Sequence, residues 1–211
     1  MAMRITFGLM VLIVLLGYSC KNSADKHSDQ QELIAVKPMD QTAVNQNDAF
    51  IINHTFETDK KSLFDMWIDP EIYTRWMGPT GAEMSFLNAN VKEDGSAHWQ
   101  MTTPDGLTKF GKLHYKTIHP SDQLVYVQNF CDKDGNFIKA PFSETYPDSL
   151  LLTVDFQEIE TNKVMMTVKW ETFDSALEIE KKTFQEMKPF MVQGWNESFE
   201  KIEDLLRKEE G

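Results

Sequence analysis

His54 is the polar side chain in the most apolar company along this 211-residue chain. Phe50, Ile52 and Phe56 alternate with Ile51, Asn53 and Thr55, a period of two that puts His54 on one strand face with three large apolar residues. An imidazole placed there could hydrogen-bond a carbonyl group or act as a general base near neutral pH. The favoured reading is a histidine satisfied by a local backbone carbonyl or at the strand edge, since no acid partner is legible from the sequence. His98, Gln100 and Thr102 alternate against Trp99 and Met101 and read as solvent-facing, while His114 and His119 stand apart. Neither HExxH nor a zinc-spaced set of His, Asp or Glu occurs, so no metal site is expected. No GxSxG elbow or GxGxxG phosphate loop occurs either, and Gly78-Pro79-Thr80-Gly81 reads as a plain loop. No cofactor is expected. Cys131 closes the strand-like run Leu124 to Phe130 and reads as a small structural residue.

These residues need elements to position them. Thr58, Asp59 and Ser62 are helix-start residues ahead of Leu63, Phe64 and Trp67, and Asp69-Pro70 stops that helix before a second short one carrying Trp76. Strand-like runs follow at Glu83 to Val91, Ser96 to Thr103, Lys109 to His119, Gln123 to Cys131, Ser149 to Glu158 and Lys163 to Thr172. Turn signals such as Asp94-Gly95, Asp134-Gly135 and Thr161-Asn162 separate most of them. A single long helix is expected over Ser175 to Lys208, because Phe184, Met187, Met191, Trp195, Phe199, Ile202 and Leu206 recur at spacings of three and four. Pro189 is expected to kink that helix or begin its main part. Gly194, expensive in a helix, is expected to mark a close approach of the helix to the sheet.

At the N-terminus Arg4 precedes an apolar run, Ile5 to Leu16, and then Gly17-Tyr18-Ser19-Cys20, which reads as residues 1–19 of an export signal ending in a lipobox. Cys20 would carry the lipid, leaving Cys131 without an intramolecular partner. A soluble secreted protein cut nearby, or an uncleaved anchor, is the alternative. Residues 20–48 are rich in Ser, Asp, Gln, Asn and Lys and read as a flexible tether, with only Leu33 to Val36 apolar. Residues 49–211 are then one domain. A formal net charge of −12 argues against nucleic acid as a partner and against electrostatic binding to anionic lipid heads.

Several of these residues recur together in one family. The first strand, Trp67-Ile68-Asp69-Pro70-Glu71, Trp76-Met77-Gly78-Pro79, Gly95, Met101, Pro104-Asp105-Gly106, Gly111, the stretch from His119-Pro120 to Leu124-Val125, and Gly194-Trp195 through Leu205 resemble single-domain homologues of the heat-shock protein 90 ATPase activator, in the START/SRPBCC-like helix-grip superfamily. The resemblance implies an α+β fold: a curved antiparallel sheet of six to seven strands around a long C-terminal helix, with two short helices after the first strand. It also implies a cavity between sheet and helix. Strand alternation nominates His54, Trp99, Met101 and Trp170 as its lining, the long helix adds Met191 and Trp195, and the short helices add Trp67 and Trp76. The same residues are what a packed core contains.

The expectation is therefore a lipid-anchored protein of a bacterial cell envelope that binds a hydrophobic small molecule or lipid, and more a binding protein than an enzyme. A polyketide-cyclase-like enzyme is the alternative and would need a polar relay, with His54 and Tyr115 or Gln100 as the available groups. A third reading is a ligand-free interaction domain whose cavity is plugged by Trp99, Trp170 and Trp195. Export and the lack of a second domain argue against a chaperone-activator clamp.

Overall fold

A computed structural model describes residues 49–209. The proposed signal, tether and Cys20 lie outside these residues. Strand β1 (Phe50–Phe56) leads into helices α1 (Lys60–Ile68) and α2 (Pro70–Trp76). Strands β2 (Glu83–Ala89), β3 (Ser96–Thr102), β4 (Thr108–His119), β5 (Gln123–Cys131), β6 (Leu150–Glu160) and β7 (Lys163–Thr172) then meander, and helix α3 (Glu178–Glu209) closes the domain. One seven-stranded antiparallel sheet results, in the order β1-β7-β6-β5-β4-β3-β2. The first strand returns to pair with the last, with Phe50 opposite Trp170 and His54 opposite Met166. Register shifts in the pairings of β2, β4 and β6 add local twist to the curved sheet.

Asp69 explains the sharp corner between the short helices. It ends α1 and caps α2, its carboxylate accepting from the Glu71 N–H at 2.8 Å and the Ile72 N–H at 3.2 Å, with Pro70 preset in the first turn. Asp69→Ala removes the one oxygen, Oδ1, that accepts both bonds, and the expected loss is about 1–2 kcal/mol in a urea melt. The corner holds Trp76, fully buried, with its indole N–H donating to the Met66 carbonyl at 2.8 Å.

The helical stripe read from the sequence lies against the sheet: Phe184, Trp195, Phe199, Ile202 and Leu206 are buried, whereas Met187 and Met191 are half-buried. Pro189 neither begins α3 nor marks its end, because the helix starts eleven residues earlier at Glu178 and runs through it. Gly194 departs from expectation more sharply. A Cβ built on it meets nothing within 4 Å, so the helix does not press on the sheet at that point.

Gly111 is where close approach does occur. A Cβ there would lie 2.3 Å from the Trp99 ring and 2.8 Å from the Asn129 carbonyl oxygen. His98 is a second departure, because it is 7% exposed instead of solvent-facing. The turn after β5 folds back over the outer face of the sheet. Phe137 bridges to Cys131, and Lys112 Nζ donates to the Gly135 carbonyl oxygen at 2.7 Å. Beneath this cover His98 Nε2 lies 3.4 Å from the buried Cys131 Sγ, and burial pushes the thiol up from its ordinary value. A protonated, covered thiol is a poor nucleophile, which agrees with the structural reading of Cys131.

Candidate functional site

A cavity of about 220 Å³ lies between the sheet and α3. Five separate stretches of chain wall it: Met77-Gly78-Pro79 after α2, Gln128 on β5, Tyr146 in the β5–β6 connection, Trp170 on β7, and Met191, Gly194, Trp195 and Ser198 on α3. The space that a side chain at position 194 would fill is part of it. Residues 191, 194, 195 and 198 share one helix face by their spacing of three and four.

The Met77–Pro79 wall is held by its own backbone and by α3. Gly78 has φ +105° and Gly81 φ +79°, conformations that L side chains rarely adopt, and Gly78 sits against Met101 so closely that a Cβ would lie 2.7 Å from its Cε. Lys201 Nζ donates to the Gly78 carbonyl oxygen at 2.6 Å, and the Thr80 N–H donates to Glu197 Oε2 at 2.8 Å. The Thr80 N–H holds the Glu197 carboxyl below its ordinary value, while burial lowers the Lys201 ammonium. Two charged side chains one helical turn apart thus latch the loop, yet no charged side chain borders the cavity itself.

Trp170, Met191 and Trp195, nominated from the sequence, do line this cavity. Trp67 and Trp76 stand one layer behind: Trp67 stacks on Trp195 with centroids 5.8 Å apart, and Trp76 lies 6.5 Å from the same ring. Trp99 packs edge-on against Phe130 at 5.9 Å and borders Gly111, and Met101 supports Gly78 from beneath. The tryptophans therefore do not plug the space, as the ligand-free reading required. Trp170 and Trp195 wall it, and Trp99 is elsewhere in the core.

His54 lies away from the cavity. Its Nε2 is 2.8 Å from Glu203 Oε1, and its ring stacks on Phe199 at 4.9 Å. Glu203 is eight residues beyond Trp195, which is roughly 12 Å along the helix. The acid that the sequence did not reveal is 149 residues distant in the chain. Tyr115 lies four strands across the sheet from β1, roughly 19 Å at ordinary strand spacing, and Gln100 alternates with Trp99 onto the outer face. No relay joins His54 to either residue, so the arrangement proposed for a cyclase-like enzyme is not assembled. Among the described residues no group of three His, Cys, Asp or Glu side chains is placed to hold a metal ion.

Sequence reasoning missed Met77, Gly78, Pro79, Gln128, Tyr146 and Ser198. Tyr146 sits in a connection with no periodicity to read, packed against Phe130 and Phe142, and burial drives its hydroxyl well above the ordinary tyrosine range. Gly194 was the available signal, a helix-interior glycine whose cost was read as close packing and instead borders open space.

Residues 57–207 match the family described as Activator of Hsp90 ATPase homolog 1-like protein. No curated protein matches the chain. Among solved structures, a protein from Arthrobacter aurescens is 28% identical with a TM-score of 0.62, over 78% of this chain and 90% of that one. Ms6760 from Mycobacterium smegmatis is 17% identical with a TM-score of 0.62, over 75% and 90%. The AHSA1 protein from Silicibacter pomeroyi is 14% identical with a TM-score of 0.58, over 76% and 99%. The latter two likenesses concern the fold alone, and they agree with the seven-stranded sheet, the paired short helices and the long C-terminal helix seen here. Family match and fold together establish that this chain belongs to the Activator of Hsp90 ATPase homolog 1-like protein family.

Proposed function

We propose that this protein binds a hydrophobic small molecule or lipid in the cavity between its sheet and α3, and that it does so as a carrier or sensor without catalysis. Gly194 carries the reading. A glycine inside a helix costs about 1 kcal/mol relative to alanine, and here no neighbour stands close enough to require it. What its missing side chain leaves is cavity. Large aromatic and methionine surfaces around that space, Trp170, Trp195, Met77 and Met191, suit an apolar occupant.

A thermal-shift screen of hydrophobic compounds tests the reading, since an occupant at a hundred times its Kd stabilises the folded state by about 2.7 kcal/mol. Compounds that raise Tm in the parent and not in a cavity-filled variant support it; a screen with no shift at all contradicts it.

Location at a cell envelope belongs to the same proposal and rests on Ile5 to Leu16 followed by Gly17-Tyr18-Ser19-Cys20. No described helix is long and apolar enough to cross a membrane. Cys20→Ala is expected to move the protein from the membrane pellet to the soluble fraction and to end incorporation of labelled palmitate. Unchanged labelling in that variant would rule out Cys20 as the anchor.

A further inference from the structure

The occupant's chemical class can be narrowed, on the reading that the cavity is a binding site. We infer that it is a neutral molecule about the size of one substituted ring, bearing a hydroxyl or carbonyl oxygen.

Size comes first. An apolar cavity of about 150 Å³ accommodates benzene. The same allowance gives a 220 Å³ cavity roughly nine non-hydrogen atoms. A sterol or a two-chain lipid exceeds this several-fold, so only one end of such a molecule would be covered.

Charge comes second. None of the lining residues is ionisable near neutrality, and an ion buried without a partner is strongly disfavoured. Lys201, on the loop side, is already engaged with the Gly78 carbonyl oxygen. The chain's net charge of −12 further disfavours an anion.

The need for oxygen comes from the polar lining. Ser198, 3% exposed, and Tyr146 and Gln128 bring two hydroxyls and an amide to the otherwise apolar wall. Buried polar groups are nearly always partnered. Two hydroxyls and an amide, all able to donate or accept, suit one hydroxyl or carbonyl oxygen on an otherwise apolar molecule.

The test is calorimetric titration of the full chain with three ring probes of similar size: 4-ethylphenol, 4-ethyltoluene and 4-methylbenzoate. Expected is binding of 4-ethylphenol at least tenfold tighter than the other two. That margin is expected to vanish in Ser198→Ala/Gln128→Leu with 4-ethyltoluene binding retained, and Ser198→Ala alone is expected to show a partial loss. Equal or tighter binding of 4-ethyltoluene or 4-methylbenzoate would overturn the class while leaving the cavity reading intact. Binding of palmitic acid with none of the three probes would overturn the size. If none of these compounds binds, the cavity reading itself fails.

Discussion

Gly194→Leu is expected to make the protein more stable and unable to bind its ligand. Leucine is better than glycine in a helix interior by roughly 0.8 kcal/mol, and the new side chain enters open space without meeting another atom at its Cβ. For a domain of this size the helix term alone corresponds to an increase in Tm of about 2–3 °C. The isobutyl group would occupy the cavity between Met191, Trp195 and Ser198, so affinity for any cavity ligand is expected to fall by a hundredfold or more. Gly194→Ala is the control, keeping most of the helix gain while removing little volume. A drop in Tm for both variants would mean that the glycine serves packing, and the case for a functional space would lose its main support.

Trp67→Ala is expected to cost about 3–5 kcal/mol, the largest single loss considered for this domain. Trp67 is 2% exposed and lies at the centre of an aromatic cluster, with Trp76 at 4.8 Å, Trp195 at 5.8 Å and Tyr73 at 6.2 Å between centroids. Its indole N–H also reaches Met166 Sδ at 3.2 Å on β7. It therefore ties α1 to α2, to α3 and to the sheet. Whole-domain stabilities run to about 5–15 kcal/mol, so a urea melt should show the variant near the edge of folding. Met191→Ala, on the half-buried cavity wall, is expected to lose far less stability. A Trp67→Ala loss under 1 kcal/mol would contradict the placement of Trp67 in a load-sharing core layer.

The contrast between these two sites shows where sequence patterns stop being informative. Strand β1 and the start of α1 were legible because alternation and capping are local, the cap being Asp59 among the candidates Thr58, Asp59 and Ser62, and Gln123–Cys131 and Lys163–Thr172 have the expected boundaries. The core tryptophans were legible as buried but not as assigned to a wall or a second layer, because Trp67, Trp76 and Trp195 differ only in which neighbour stands in front. His98 obeyed alternation and lies on the outer face, yet it is covered, since the cover is a loop whose path no periodicity encodes. His54 looked unpaired because Glu203 meets it through tertiary packing. The cavity itself is a property of five distant stretches: the family resemblance implied it and strand and helix periodicity supplied Trp170, Met191 and Trp195, whereas Gly194 was read as a close approach and proved to border open space.

Native mass spectrometry of the full chain purified from its own cells, compared with Gly194→Leu purified identically, shows whether a ligand sits beside Gly194. A small, stoichiometric, non-covalent adduct is expected on the parent protein, recovered by organic extraction and missing from the variant. The same bare mass for both proteins, or an adduct carried equally by both, would contradict a ligand seated beside Gly194.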